Sequence, residues 1–136
     1  MKNKKIKIIG IAVATLIVII AVCTAVCHFR PVFEVSFYDD HIVVDARRAA
    51  ADSSEIGYIT VAEGRMIVIE ADLRAEETVR VELFPADDKD MTQPVFWGDF
   101  SFRDGSSYTL PAGEYAVRIT AQKGSTGRLM LNVTAK

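Results

Sequence analysis

The most aromatic stretch of the chain, residues 95–102, holds the side chains best suited to binding a ligand. Strand alternation would place Trp97 and Asp99 on one face and three phenylalanines on the other, where we predict core positions for Phe96, Phe100 and Phe102. An exposed indole, with Tyr38 or Tyr58 nearby, offers a flat apolar surface to a sugar ring. Because tryptophan is more often buried, we expect the indole to be covered, whereas exposure would mark Trp97 and Asp99 as ligand-binding residues.

The densest acidic cluster lies at residues 87–90. Calcium prefers carboxylate oxygens grouped on a loop, which makes candidate ligands of Asp87, Asp88 and Asp90. The EF-hand spacing is not met, since Gln93 stands where glycine is required and Asp99 where a bidentate glutamate is required. The alternative is a solvated loop whose aspartates accept hydrogen bonds from backbone amides.

Groups that could perform catalysis are few. The chain has two histidines, and only Asp39-Asp40-His41 combines an imidazole with carboxylates. This triplet could ligate a metal ion, but a polar tight turn explains the same residues. The sequence has no nucleophile elbow, phosphate-binding loop or zinc-binding motif. We therefore predict a protein that is not an enzyme and that needs no cofactor.

The first thirty residues predict a membrane anchor. An uncharged apolar run, residues 8–27, follows four lysines, and no acidic residue occurs before Glu34. As a helix the run would be roughly 30 Å long, enough to cross a bilayer. Because positive charge resists translocation, we predict a single-pass protein of the cell membrane with a cytoplasmic N-terminus and an extracytoplasmic C-terminal domain.

The fate of this segment depends on its outer end. Cys23 and Cys27, the only cysteines, lie one helical turn apart. Cys23 is a candidate lipidation site, although Val22 is bulkier than the small residue that normally precedes a lipidated cysteine. Cleavage as a signal peptide is a second alternative, but the apolar run is longer than the 7 to 15 residues typical of signal peptides. An uncleaved anchor agrees best with that length.

Residues 31–136 form the second part of the chain and are numerous enough for one domain. They contain eleven basic and eighteen acidic residues, a formal net charge of −7. Nucleic-acid binding normally requires a basic surface, so this charge argues against a nucleic-acid partner.

The outer domain alternates apolar and polar residues with a period of two, which predicts β-strands with one buried face. Glycine- and proline-containing turns, among them Asp104-Gly105, separate the runs. Residues 46–55 have helix-forming composition but are too few for a stable helix, so we predict a loop. The fold class is all-β, an antiparallel two-sheet sandwich of jelly-roll type after one transmembrane helix. The predicted strands are 32–38, 41–45, 56–61, 65–73, 78–84, 95–102, 107–110, 114–121 and 127–135.

Three segments carry a resemblance to known modules: Ile59-Thr60-Val61-Ala62-Glu63-Gly64, Val79-Arg80-Val81-Glu82-Leu83-Phe84, and the run from Tyr108 to Ile119 with its glycine turn and inward Tyr115. From Ile56 onward the chain is similar to bacterial pre-peptidase C-terminal domains and GOLD-like sandwiches. The resemblance implies a non-catalytic accessory or adhesion domain and transfers no binding residue.

These observations favour a membrane-anchored, non-catalytic binding or structural module of a bacterial cell envelope, with a protein or cell-wall glycan as its partner. One alternative is a carbohydrate-binding module that uses Trp97. Another is a subunit of a membrane complex, in which residues 8–27 would contribute to assembly.

Overall fold

In the computed structural model, which describes residues 2–50, 53–74 and 77–136, one helix is followed by nine strands. The chain divides into two compact units, Met1–Arg30 and Pro31–Lys136. The strands are β1 Val32–Phe37, β2 His41–Arg47, β3 Ser53–Val61, β4 Arg65–Leu73, β5 Val79–Pro85, β6 Phe96–Phe100, β7 Asp104–Tyr108, β8 Gly113–Ala121 and β9 Gly127–Ala135.

The first unit is a helix, α1, which spans Lys2–Phe29. It contains the predicted apolar run, Ile8–Cys27, whose twenty residues have a mean hydropathy of 2.8. The hydroxyl of Thr15 donates to the carbonyl of Ile11 at 2.8 Å, which satisfies a polar group within this run. In length and composition the helix could be a membrane span or a signal sequence.

The second unit is a sandwich of two antiparallel sheets, as the alternation predicts. The first sheet has the strand order β1-β2-β9-β4-β7, and the second has the order β3-β8-β5-β6. Apart from the additional edge strand β1, each sheet has four strands, and the chain crosses repeatedly between the sheets. This arrangement is a jelly roll.

The core lies between the two inner faces and contains almost only aliphatic side chains. Each strand contributes every second residue, so the period of two in the sequence becomes a continuous apolar layer. The largest fully buried side chains of this layer are Ile42, Ile59, Ile67, Ile69, Leu83, Ile119, Leu129 and Leu131.

Aromatic rings close the sandwich along both sides. On one side Phe37 of β1 lies against Gly57 of β3, where an added Cβ would come within 2.2 Å of the Phe37 ring. On the other side Phe96 of β6 packs against Tyr108 of β7, with ring centroids 4.1 Å apart. Gly57 is therefore required for space, because the ring of Phe37 fills the position of its side chain.

The prediction of a loop over residues 46–55 is wrong at both ends. Strand β2 continues to Arg47, and β3 begins at Ser53, while Ala51 and Asp52 lie outside the described residues. Helix-forming composition is overridden here because Ala46 pairs with Phe33 and Gly127, and Ser53 pairs with Ala121. Backbone pairing with strands that are distant in sequence decides the outcome.

The predicted turn at Asp104-Gly105 is also misplaced. Strand β6 ends at Phe100, the chain turns through residues 101–103, and Asp104 already begins β7. Arg103 in this turn has a φ of 52°. Because strand alternation stops at Phe100, Phe102 is about half exposed, which corrects its predicted core position; Phe100 is buried and Phe96 is partly buried against the core.

Candidate ligand-binding face

Trp97 and Asp99 lie on the outer face of the second sheet, as the alternation predicts. The register places Trp97 beside Glu82, then Arg118 and Ile56, in one row that crosses all four strands. The next row contains Asp99, Arg80, Thr120 and Ser54. Neighbouring strands lie about 4.8 Å apart, so each row is roughly 14 Å long. We call this surface the β3–β6 face.

Trp97 is 60% exposed, so the expectation of a covered indole is wrong. Three more large apolar side chains on the same side of the second sheet, Ile56, Tyr58 and Val95, are about half exposed. Tyr58 therefore shares a face with Trp97, whereas Tyr38 lies in the β1–β2 turn and stacks on His41. Clustered exposed apolar groups are typical of binding surfaces.

Arg80 fixes the surroundings of Trp97. Its Nε and Nη2 donate to the two carboxylate oxygens of Asp99, both at 2.8 Å, and its guanidinium carbon lies 5.4 Å from the centre of the indole ring. A bidentate pair beneath an aromatic ring combines an ion pair with a cation–π contact. Hydrogen bonding to Arg80 lowers the pKa of Asp99 below its ordinary value, and the same bonds raise the pKa of Arg80.

A second ion pair lies one row away. Arg118 Nε donates to Glu82 Oε2 at 2.7 Å, and the Arg118 guanidinium lies 4.9 Å from the centre of the Phe84 ring. Phe84 is fully buried although it occupies the outer face, in the row between Ala116 and the end of β6. The hydrogen bond to Glu82 raises the pKa of Arg118 and keeps this guanidinium charged.

The two ion pairs border a cleft of about 440 Å³. The cleft combines the four charged groups with uncharged polar side chains that can both donate and accept hydrogen bonds. Its lining residues are Thr78, Arg80, Glu82, Asp99, Arg118, Thr120 and Gln122. Two arginines and two carboxylates give this lining a balanced charge.

A larger cleft, about 660 Å³, lies on the outer face of the first sheet. The pair Arg128–Asp45, with a shortest distance of 2.9 Å, lines it together with Glu70, Asp72 and Met130. It has no aromatic side chain in its lining and therefore no stacking platform, so we favour the smaller cleft beside Trp97 as the site.

The candidate calcium ligands use their loop in another way. Asp88 Oδ2 accepts hydrogen bonds from the amides of Thr92 and Gln93, at 3.1 and 3.2 Å. Asp87 lines a separate cleft with Val95 and Tyr115. Within the described ranges, no group of three or more histidine, cysteine, aspartate or glutamate residues could hold a metal ion. The geometry therefore does not gather Asp87, Asp88 and Asp90 into a calcium site.

The triplet Asp39-Asp40-His41 forms part of the turn that joins β1 and β2. The amide of Tyr38 donates to the carbonyl of His41 at 2.9 Å, and His41 Nδ1 lies 2.6 Å from Asp40 Oδ1. The imidazole lowers the pKa of Asp40 through this hydrogen bond. These contacts describe a polar turn.

Cys23 and Cys27 are both exposed near the end of α1, with free thiols. This position is compatible with the lipidation predicted for Cys23, and the two thiols form no disulfide with each other.

Sequence reasoning missed Arg80, Glu82, Phe84 and Arg118. The alternation of β5 places Arg80 and Glu82 outward, but their neighbours depend on a strand register that the sequence does not reveal. One signal was available, because Phe84 follows Leu83 and puts an aromatic residue at an outward position. That break in alternation marks an outer face with an apolar cover.

No family model matches the chain, and no curated protein is similar to it in sequence. Three solved structures are similar in fold. One is described as "CBM4 structure and function", with a TM-score of 0.44, 11% identity and coverage of 78% of both chains. The second is the "Glycosylation Associate Protein (Gap123) complex from Streptococcus agalactiae", with a TM-score of 0.41, 10% identity and coverage of 75% of this chain and 39% of that one.

The third is the "Drosophila melanogaster CENP-C cupin domain", with a TM-score of 0.39, 9% identity and coverage of 75% of each chain. The resemblance to pre-peptidase C-terminal and GOLD-like domains thus reaches only the level of β-sandwich and jelly-roll architecture. The candidate site therefore depends on the geometry of this chain alone.

Proposed function

We propose that the chain is a membrane-anchored, non-catalytic binding domain of the cell envelope, and that the β3–β6 face binds a glycan. The observation that carries this proposal is the 60% exposed Trp97 beside a polar cleft. Large apolar groups are costly to expose, and an indole face is well suited to the apolar face of a sugar ring.

The anchor determines where this domain works. Ile8–Cys27 is long enough to span a bilayer, and the lysines before it favour a cytoplasmic N-terminus. The sandwich would then lie outside the cytoplasm, where cell-wall glycans are accessible. The acidic character of residues 31–136 opposes adsorption to anionic lipid, so the β3–β6 face remains available to a ligand.

A non-catalytic role is consistent with the chemistry of the cleft. Its lining contains no histidine, cysteine or serine, and both of its carboxylates accept hydrogen bonds from arginines. An acid or base that is held in an ion pair is poorly suited to transfer a proton to a substrate.

Glycan binding by the full-length protein tests this proposal. The protein is kept in a detergent without a sugar headgroup, so that the detergent does not compete, and is screened against cell-wall polysaccharides and oligosaccharides. We expect binding that weakens about tenfold or more in Trp97→Ala, because the stacking surface is lost.

Phe102→Ala is the matched control, because Phe102 is an exposed aromatic residue in the β6–β7 turn. This variant should bind as the wild type does. Absence of binding to every glycan, or equal affinity of wild type and Trp97→Ala, would reject the proposal. Turnover of a glycan that a point substitution in the cleft abolishes would reject the non-catalytic role.

A further inference from the structure

We propose that the β3–β6 face selects uncharged, hydroxyl-rich polysaccharide chains, and that its two ion pairs act as hydrogen-bonding stations for hydroxyl groups. This inference depends on the proposed glycan-binding function and names the ligand class of the same site. It follows from the state of the charged groups in the cleft.

Both arginines in the cleft are already engaged by carboxylates. Arg80 binds Asp99 through two hydrogen bonds of 2.8 Å, and Arg118 binds Glu82 through one of 2.7 Å. An anionic ligand would have to share these guanidinium groups with the carboxylates, which lie a few ångströms away and would repel it. Local charge therefore disfavours a uronate- or phosphate-bearing chain.

The groups that remain suit hydroxyls. Among the described residues, Glu82 Oε1 and the Nη atoms of Arg118 have no protein hydrogen-bond partner, so acceptors and donors lie side by side. A hydroxyl both donates and accepts, so one hydroxyl can bridge a carboxylate and a guanidinium. Hydrogen bonds to charged groups are stronger than those between neutral groups.

The arrangement of apolar groups gives the ligand a direction. Trp97 on β6 and Tyr58 on β3 lie at opposite edges of the sheet, and the ion pairs lie between them. A chain of sugar rings that crosses the strands could stack on Trp97, span the cleft and reach Tyr58, over roughly the 14 Å that separates β6 from β3. Several linked rings are needed to cover this distance, so an oligosaccharide should bind better than a monosaccharide.

Calorimetric titration of the full-length protein with three sets of soluble oligosaccharides tests the inference. The sets are a neutral glucan, a polyuronate and an amino-bearing chitosan oligomer, each at 50 and 500 mM salt. We expect the glucan to bind most tightly, with an affinity that changes less than twofold with salt, because no net charge is exchanged. We expect a hexamer to exceed the monosaccharide by at least tenfold.

Variants of the pair at Arg80 separate hydroxyl binding from simple stacking. Arg80→Gln/Asp99→Asn keeps the shape and the hydrogen-bonding capacity but removes both charges, and we expect about tenfold weaker glucan binding. Arg118→Gln provides a second, independent test at the other pair. Arg128→Gln, which opens the exposed Arg128–Asp45 pair on the first sheet, should leave affinity unchanged.

The outcomes distinguish the two proposals. Preferential binding of polyuronate or chitosan that falls with salt would overturn the neutral-ligand inference while leaving glycan binding intact. Equal glucan affinity of Arg80→Gln/Asp99→Asn, Arg118→Gln and wild type would overturn the role of the ion pairs. Binding of none of the three polymers would overturn the proposed function itself.

Discussion

At the residue scale, the decisive feature is what surrounds Trp97. Strand alternation correctly predicts that Trp97 and Asp99 share a face, because side-chain direction is a local property of a strand. Whether that face is covered depends on other parts of the chain, so the exposure of Trp97 was not predictable. The contact between Asp99 and Arg80 was equally hidden, because it depends on the register of β5 against β6.

Trp97 should report its exposure directly, since it is the only tryptophan in the chain. We expect a red-shifted emission and ready quenching by acrylamide, because the side chain is 60% exposed. The full-length protein unfolded in urea sets the upper limit, and the native rate should reach at least half of it. A blue-shifted emission with strong protection from acrylamide would contradict the placement of the indole.

The pair at Asp99 should respond to acid in a defined direction. Its folded-state pKa lies below the ordinary value of 3.8, because Arg80 stabilises the carboxylate. The stability contributed by the pair is therefore fully present above pH 3.8 and is lost as the pH falls through the lower, folded-state pKa. Because the pair is partly exposed, its contribution is small.

The pKa of Asp99 can be read from its side-chain carboxyl resonance during an NMR titration of the full-length protein. In Arg80→Gln we expect the midpoint to move up toward 3.8, whereas Arg128→Gln should leave it in place. A wild-type midpoint at or above 3.8 would show that the hydrogen bonds to Arg80 do not form in solution.

At the element scale, strand existence was readable and strand ends were not. Long alternating runs such as Arg65–Leu73 coincide with their predicted bounds, because a buried face every second residue is a strong and local signal. The ends of β2 and β3 extend beyond the alternating residues, since pairing with strands distant in the chain stabilises them. Strand order likewise reflects contacts between distant segments, and no short-range pattern encodes it.

The seam between the sheets at Phe37 and Gly57 should be intolerant of added volume. A methyl group at residue 57 would come within 2.2 to 2.5 Å of three atoms of the Phe37 ring, including Cγ, which cannot move without the backbone. We expect Gly57→Ala to lower the free energy of unfolding by about 1–3 kcal/mol, the usual cost of overpacking. Urea unfolding of the full-length protein, followed by Trp97 fluorescence, measures this change.

Two companion variants make the test at Gly57 specific. Phe37→Leu combined with Gly57→Ala should recover part of the loss, because the smaller side chain leaves room for the methyl group. Thr60→Ala, at an exposed position of the same strand, should change stability by less than about 0.5 kcal/mol. Equal stability of Gly57→Ala and wild type would show that the two sheets are further apart at this seam.

At the scale of the whole molecule, the chain joins two units with opposite demands on their surroundings. Every described side chain of Ile8–Cys27 is exposed, whereas Pro31–Lys136 contains its own buried core. A helix with twenty exposed apolar residues is stable only when another phase or another protein covers them. A bilayer is the simplest cover for a single helix of this length.

The fate of the helix decides whether the binding face works at the membrane. We expect the native protein to keep its full mass of 15.0 kDa and to stay in the membrane pellet after alkaline carbonate extraction. Intact-mass spectrometry separates the alternatives, because signal cleavage removes the first residues and lipidation at Cys23 leaves a shortened chain with added acyl mass. Replacing Lys2, Lys4, Lys5 and Lys7 with glutamine is a matched test of orientation and should reduce the protease-accessible fraction of the sandwich in spheroplasts. A soluble, shortened protein would mean that the sandwich acts free of the membrane, with the β3–β6 face unchanged.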